Sequence, residues 1–246
     1  MRIRRKKWAR PELDACDYYI DNAEEMKGKW SEAFGDNSRP LYLELGCGKG
    51  GFAAQHALKY PDINIIAADI KADMLAVGRR TVENMFAAVG RTHDNIILLR
   101  MNIVNISQLF AENDKVDRIY INFCNPWNRG KHNKRRLTHP RQLEQYKNIL
   151  KPDGELRFKT DDDELFEDSV EYFKECGWEI TYITRDLHSE NLPDNLVTEH
   201  ERMFAEEGKK IKYLSALPPR RETPLQREMP PRRETPLQRE TPNESE

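Results

Sequence analysis

Residues 41–52 read Leu41-Tyr42-Leu43-Glu44-Leu45-Gly46-Cys47-Gly48-Lys49-Gly50-Gly51-Phe52. The mostly apolar run Leu41 to Leu45 predicts a buried strand, and the glycines after it predict a tight turn before a helix from Phe52 to Lys59. A strand, a glycine-rich turn and a helix in this order are typical of a parallel sheet that binds a ligand beyond the carboxyl end of the strand. We therefore expect an α/β fold.

Strand and helix patterns alternate along the rest of the chain. The further predicted strands are Ile63 to Asp69, Ile96 to Met101, Arg118 to Phe123, Glu155 to Lys159, Glu179 to Thr184 and Lys210 to Ser215. The further predicted helices are Ala72 to Ala88, Pro140 to Leu150 and Glu164 to Glu175. This alternation predicts a Rossmann-like, seven-stranded, mostly parallel sheet with helices on both faces.

Composition divides the 246 residues into three parts. Residues 39–217 carry the alternating pattern and predict one folded catalytic domain, and residues 1–38 predict a basic N-terminal extension. Residues 218–246 repeat a polar, proline-rich unit, which predicts a disordered tail because so few large apolar side chains are present.

Cysteine spacing and hydropathy suggest the compartment. The four cysteines form no CxxC pair and have no histidine at metal-ligand spacing, so neither disulfides nor a metal site is expected. No apolar run is long enough to span a membrane, so we expect a cytoplasmic protein without a membrane partner. The net charge of −2 argues against general nucleic-acid binding, but residues 1–10 and 129–136 form two basic segments that are candidates for phosphate contacts.

The glycine turn suits two ligands, NAD and S-adenosylmethionine. Gly46 and Gly48 let the backbone approach either one, and Asp69 after the next strand is placed to hold ribose hydroxyls. Glu44 favours S-adenosylmethionine, because a buried carboxylate suits an ammonium and a sulfonium but repels a pyrophosphate. Alternatively, the glycines only form a tight turn and Glu44 is an ion-paired structural residue, while Asp69 caps the next helix. Asn102, after the third predicted strand, is a candidate contact to adenine, and its alternative role is that of a turn residue.

Asn125-Pro126-Trp127 follows the predicted fourth strand. This turn can direct a carbonyl acceptor at a planar base while the aromatic ring packs beside it. A proline-rigidified turn with a buried Trp127 is the alternative. The basic run that comes next favours an RNA-facing loop, because it adds phosphate-binding charge to a base-sized slot.

Four motifs resemble the bacterial tRNA (guanine-N7)-methyltransferase family. They are Asn122-Phe123-Cys124-Asn125-Pro126-Trp127, His132-Asn133-Lys134-Arg135-Arg136-Leu137, Phe158-Lys159-Thr160-Asp161 and Thr198-Glu199-His200-Glu201. The resemblance covers most of residues 29–217. It implies a class I S-adenosylmethionine-dependent methyltransferase that modifies guanine N7 in tRNA, at the variable-loop guanosine, position 46.

The same resemblance implies roles for individual residues. The residues implied to contact the methyl donor, S-adenosylmethionine, are Glu44, Asp69, Asn102 and Asn125. Contacts to tRNA fall at Arg129, Lys131, His132, Lys134, Arg135, Arg136, Asp161, Thr198, Glu199, His200 and Glu201. The chain departs from the family pattern at Asn125 and Asn128, where the family typically has an aspartate and a proline. It also departs at Asn102 and Asp69, where the family has an aspartate and a glutamate.

The chemistry of N7 bears on the Asn125 departure. N7 carries an in-plane lone pair, so methyl transfer to it requires no general base, and alignment and dehydration supply most of the rate. The amide oxygen of Asn125 can accept a hydrogen bond, but it lacks the charge that would stabilise the cationic product. Asp161 is the candidate for that charge, with an N-cap of the following helix as its alternative role. Asn125 and Asp161 are therefore the predicted catalytic residues.

Two other functions stay open from the sequence. An exocyclic-amine methyltransferase acting on adenine or a protein amide uses a related Asn-Pro-Pro-aromatic loop, although the second proline is absent here. A catalytically impaired tRNA-binding protein would result if the asparagine replacements remove turnover. The sequence leaves monomer and homodimer equally open.

Overall fold

The computed structural model describes residues 6–190 and 192–220. The predicted tail lies almost entirely outside the described residues, as do the first five residues of the basic N-terminal segment. The helices are α1 (Ala9–Asp14), α2 (Gly51–Lys59), α3 (Ala72–Ala87), α4 (Pro140–Ile149), α5 (Asp163–Glu175) and α6 (Glu199–Glu206). The strands are β1 (Tyr19–Ile20), β2 (Leu41–Leu45), β3 (Asn64–Asp69), β4 (Ile96–Arg100), β5 (Val116–Asn122), β6 (Leu150–Thr160), β7 (Glu179–Thr184) and β8 (Lys212–Leu217).

All eight strands form one sheet in the order β1-β4-β3-β2-β5-β6-β8-β7. Strands β1 to β6 pair in parallel, and β8 runs antiparallel between β6 and β7. The strand order reverses between β2 and β5, which places a ligand-binding crevice beyond their carboxyl ends.

The two faces of the sheet carry two cores. Alternate residues of β2 to β5, such as Leu43 and Ile119, face α4 and α5, whereas Ile65 and Leu98 face α1, α2 and α3. Helices therefore cover both faces, and the α/β prediction is confirmed.

The predicted count of seven strands was wrong by one. The additional strand, β1, has two residues and pairs with β4 at the sheet edge, which is too short for a periodic pattern to reveal. The last strand also begins at Lys212 and not at Lys210, because the chain turns at Gly208 before it enters the sheet.

The predicted boundary at residue 39 marks no break in packing. Leu13 of α1 is fully buried against the helices of one face, and Trp30 is fully buried in the core of the other. The indole Nε1 of Trp30 donates to the Leu109 carbonyl at 2.8 Å, and its ring stacks on Phe110 at 5.3 Å. Residues 6–38 thus belong to the same folded unit, because their apolar side chains complete both cores.

Among the described residues, the helices are too short or too polar to cross a membrane. The same part of the chain contains no group of three or more histidine, cysteine or acidic side chains that could hold a metal ion.

Candidate active site

The glycine turn joins β2 to α2 at the point where the strand order reverses. Gly46 has a φ of +77°, which favours glycine, and its N–H donates to the Ala68 carbonyl of β3 at 2.8 Å. A Cβ on Gly50, whose φ is +69°, would come within 3.3 Å of the Gly78 Cα in α3. The turn is therefore held against β3 and α3 by backbone contacts that exclude larger residues.

Glu44 lies in β2 just before this turn and is 3% exposed. Its Oε1 accepts a hydrogen bond from the Asn122 amide at 3.1 Å, while its Oε2 is buried and has no hydrogen-bond partner among the described residues. Burial raises the pKa of Glu44 to about 7. An unpaired buried carboxylate oxygen is unfavourable, and a cationic ligand group would satisfy it.

Asp69 ends β3 and connects it to the glycine turn. Its Oδ2 accepts from the Gly48 N–H at 3.0 Å and its Oδ1 from the Lys71 N–H at 2.8 Å. Burial raises the pKa of this carboxyl as well. Asp69 does not cap α3, whose N-cap is Lys71, so the capping alternative is wrong.

Asn102 follows β4 and is exposed. Its Oδ1 accepts from the Val104 N–H at 3.1 Å and caps a short 3-10 helix, Ile103–Gln108. The turn role is thus present, and its amide nitrogen is not used as a donor to any described residue. The adenine contact therefore stays a prediction.

The backbone is strained within the Asn125-Pro126-Trp127 turn and just before it. Phe123 and Trp127 have φ values of 50° and 48°, in the left-handed region that aromatic residues rarely adopt. The exposed Asn125 accepts the Trp127 N–H on its Oδ1 at 3.0 Å, so this oxygen closes the turn. Trp127 is half-buried and packs on its own loop, because its ring lies 5.9 Å from His132 and 5.1 Å from the Arg135 guanidinium.

Four of the five predicted basic contacts in this loop are exposed. They are Arg129, Lys131, Lys134 and Arg135, which lie in or beside the 3-10 helix Gly130–Arg135. Exposed cations so close together are suited to phosphate binding.

The prediction that Arg136 binds RNA was wrong. Arg136 is fully buried: its Nε donates to the Pro126 carbonyl at 2.6 Å, and its terminal nitrogens pair with Asp168 and with Glu164. All of these partners lie within the protein, so Arg136 attaches the turn to α5 and presents no guanidinium to solvent.

Thr198 and Glu201 form a capping box at the start of α6. Thr198 accepts the Glu201 N–H at 3.0 Å, and the Glu201 carboxylate accepts the Thr198 N–H at 3.4 Å. Glu201 is fully buried and pairs with Lys159 at 3.1 Å, so its predicted role as a direct contact to tRNA is not supported by this geometry. The pKa of Glu201 is lowered, since Lys159, Asn195 and His188 outweigh the effect of burial.

Glu199 and His200 connect α6 to both halves of the crevice. Exposed Glu199 pairs with Lys49 of the glycine turn, with its two oxygens 3.0 and 3.3 Å from Nζ. His200 stacks on Phe123 with ring centroids 6.0 Å apart. The start of α6 therefore lies between the glycine turn and the Asn-Pro-Trp turn.

Asp161 follows β6 and is half-buried. Its carboxylate lies 3.9 Å from Lys209 Nζ, and its carbonyl accepts from Lys212 Nζ at 2.8 Å. The N-cap of α5 is Asp162, whose Oδ1 accepts from the Leu165 N–H at 2.7 Å. The capping alternative for Asp161 is thus wrong, and its carboxylate lies at the carboxyl edge beside Lys209.

Three residues that contribute to the site were not predicted. Asn122 orients Glu44, Lys159 pairs with Glu201, and Lys49 pairs with Glu199. Asn122 and Lys159 are buried polar residues near the ends of predicted strands, and that placement was the available signal.

A doubly wound sheet, a glycine turn at its switch point and acids at the ends of its first two parallel core strands define a class I methyltransferase. A family model described as "Putative methyltransferase" matches residues 38–214. Two solved rRNA methyltransferases share the fold. The 16S rRNA (adenine(1408)-N(1))-methyltransferase of Catenulisporales acidiphilia has a TM-score of 0.54 and 13% identity over 83% of this chain and 94% of that chain. The 16S rRNA methyltransferase KamB has a TM-score of 0.51 and 12% identity over 73% and 88%.

Relatives in sequence are more similar. A tRNA (guanine-N(7)-)-methyltransferase of Clostridium beijerinckii is 57% identical over 217 residues, which are 88% of this chain and 99% of the relative. One of Acetivibrio thermocellus is 51% identical over 216 residues, with the same shares. The chain therefore belongs to the tRNA (guanine-N(7)-)-methyltransferase family.

Proposed function

We propose that this chain transfers a methyl group from S-adenosylmethionine to N7 of a guanine in tRNA. Family membership supports the reaction and the substrate. The observation that carries the cofactor assignment is the unpartnered, buried Oε2 of Glu44 beside the glycine turn, because it calls for a cationic ligand.

The residues present fit this cofactor. Glu44 would hold its ammonium group, the turn at Gly46 and Gly48 would let it approach the backbone, and Asp69 would accept from its ribose hydroxyls. The free amide nitrogen of Asn102 would donate to adenine. S-adenosylmethionine supplies an electrophilic methyl group when bound.

On the acceptor side, the chain has to align guanine and exclude water. The Asn125 carboxamide would accept from the guanine, and the turn closed by Trp127 would set its direction. No residue need remove a proton from N7. The Asp161 carboxylate would stabilise the positive charge that develops on the base.

The tRNA would lie across the exposed basic loop. Arg129, Lys131, Lys134 and Arg135 would contact phosphates, His132 would lie beside them, and Glu199 and His200 would border the guanine. Thr198 would act indirectly, because it caps the start of α6, from which Glu199 and His200 extend. The variable-loop guanosine, position 46, is the proposed target, and a tRNA substrate supports the further proposal that the protein acts in the cytoplasm.

Nucleoside analysis tests this proposal. Unmodified tRNA transcripts are incubated with the full chain and methyl-labelled S-adenosylmethionine, digested and examined by mass spectrometry. We expect labelled 7-methylguanosine. Labelled N6-methyladenosine without 7-methylguanosine would establish the exocyclic-amine alternative. No product from this chain, with product from Asn125→Asp, would establish the impaired tRNA-binding alternative.

A further inference from the structure

A cavity of about 490 Å³ lies on the face of the sheet that carries α2, along the middle of β5 and the carboxyl-terminal half of β6. Arg118, Arg157 and Tyr213 form part of its floor, His56 of α2 forms a wall, and residues 192–196 also line it. Its volume is within the range of small-molecule sites. The residues assigned above to S-adenosylmethionine or guanine do not line it, so it is a separate cavity that meets the candidate active site at Lys159.

The charged floor of this cavity is unusual for central strands. On the opposite face, β5 and β6 carry the fully buried Ile119, Ile121 and Leu156. Central parallel strands are normally apolar on both faces, and partly buried charges are unfavourable unless they are paired. Arg118 and Arg157 are paired with Glu155, but this group leaves one positive charge in excess on this face.

The cavity holds more positive than negative charge. Arg118 Nε and Arg157 Nε lie 2.9 and 2.8 Å from the same Glu155 oxygen, so one carboxylate serves two guanidinium groups. Burial, and then the nearby Arg118 and Arg157, lower the pKa of His56 to about 3, which leaves it neutral at pH 7. Lys159 is balanced by Glu201, and Asp194 at the rim is exposed to solvent. The interior therefore favours an anion.

Hydrogen-bond donors and aromatic rings face this space together. The terminal nitrogens of Arg157 donate to none of the described residues, and a guanidinium can bind phosphate through two parallel hydrogen bonds. Tyr182 and Tyr213 lie 5.9 Å apart, and Tyr42 lies 4.9 Å from the Arg118 guanidinium. Aromatic rings stack on any base, so such walls accept a nucleobase without selecting one.

We propose that this cavity binds a nucleotide, with its phosphate on Arg118 and Arg157 and its base against the tyrosines. Two sources supply this chemistry, a free nucleotide and a nucleotide of the bound tRNA. The lining residues 192–196 lead into α6, which begins at Glu199, and Lys159 donates to the Leu196 carbonyl at 3.1 Å. An occupied cavity would therefore lie directly beneath the segment that borders the acceptor site.

Calorimetric titration tests the site. The full chain is first saturated with S-adenosylhomocysteine, so that the cofactor site is filled, and is then titrated with uridine 5′-monophosphate, whose base is neither adenine nor guanine. Uridine and inorganic phosphate are titrated in parallel. We expect saturable binding of the nucleotide and at least tenfold weaker binding of each fragment.

Variants locate the binding. Arg157→Met is expected to weaken nucleotide binding at least tenfold, whereas Arg80→Met, which changes an exposed arginine of α3, leaves it unchanged. Unchanged affinity for S-adenosylhomocysteine shows that both variants are folded. The absence of saturable nucleotide binding by the unmodified chain, or equal binding by Arg157→Met, overturns the proposal.

A competition experiment distinguishes the two sources. If tRNA displaces the bound nucleotide, the cavity takes a nucleotide of the substrate. If both bind together, the cavity takes a free nucleotide. Either result supports a nucleotide site.

Discussion

The two halves of the crevice are held together by different kinds of contact. On the β2–β3 side, backbone N–H groups of Gly46 and Gly48 and the carboxylate of Asp69 make the connections, all within one strand-helix-strand unit. On the β5–β6 side, side chains far apart in sequence make them, as when Arg136 reaches Asp168 and Lys159 reaches Glu201. The backbone of the glycine turn is therefore held mostly by local contacts, although Glu44 and Lys49 have distant partners, whereas the acceptor side depends on long-range side-chain pairs.

This difference predicts where substitutions act. A change to an exposed side chain on the cofactor side should leave stability nearly constant. A change in a buried pair on the acceptor side should lower the stability of the protein, and activity should fall as a consequence of that loss of stability.

Lys159→Met gives the largest expected effect. It leaves Glu201 buried without its cation, so we expect the free energy of unfolding to fall by about 3 kcal/mol in urea denaturation. Lys174→Met, which removes an exposed pair with Glu171, is the control and should cost less than about 1 kcal/mol. Equal stability of the two variants would show that the acceptor side does not depend on its buried pair.

Replacing Lys134 and Arg135 together by alanine should weaken tRNA binding without changing stability, because both side chains are exposed. Affinity falls as salt concentration rises, and a plot of log affinity against log salt concentration should become less steep by about 0.7 to 0.9 for each lost phosphate contact. Arg136→Met is the comparison variant. Because Arg136 is buried, its replacement should lower the melting temperature of the protein. An unchanged salt slope in the double variant would exclude the loop as a phosphate contact.

Affinity for S-adenosylmethionine should rise with pH, because burial raises the pKa of Glu44 to about 7 and the cationic ligand needs the ionised form. Between pH 6 and pH 8 we expect about a tenfold gain in a binding titration. Stability of the ligand-free protein changes in the opposite direction: the folded state holds this proton more tightly than the unfolded state does. The contribution of Glu44 to the free energy of unfolding is thus lost as the pH rises from 4.5 to about 7. Affinity that does not vary over this range would contradict a raised pKa.

The smallest effect is expected for Asn125→Asp. A carboxylate in this exposed turn should raise turnover about threefold by stabilising the cationic product, with Asn128→Asp as a control in the same loop. Single-turnover rates of 7-methylguanosine formation measure this. If the unmodified chain shows no detectable rate and Asn125→Asp shows a measurable one, the natural asparagine abolishes catalysis.

The sequence predicted the local structure around the glycine turn well, because strand, glycines and helix follow one another along the chain. Glu44 and Asp69 lie at or near the ends of β2 and β3, and Gly46 lies in the turn, as expected. The acceptor side was predicted only in part, since charge pattern cannot distinguish a buried arginine from an exposed one in the run 129–136. Arg136 and Glu201 were both assigned to tRNA, but their partners lie on α5 and β6, and no spacing along the chain identifies such partners. The two-residue β1 was missed because it is too short to show a period.

Titration of S-adenosylmethionine into the full chain and its Glu44→Gln variant tests the central claim most directly. The variant keeps the shape and the hydrogen bond to Asn122 but removes the buried charge, so we predict one saturable site in the unmodified chain and about 30-fold weaker binding in the variant. Glu83→Gln, on the outside of α3, should bind like the unmodified chain. Equal affinity of Glu44→Gln and the unmodified chain, or binding of NAD in place of S-adenosylmethionine, would contradict the account.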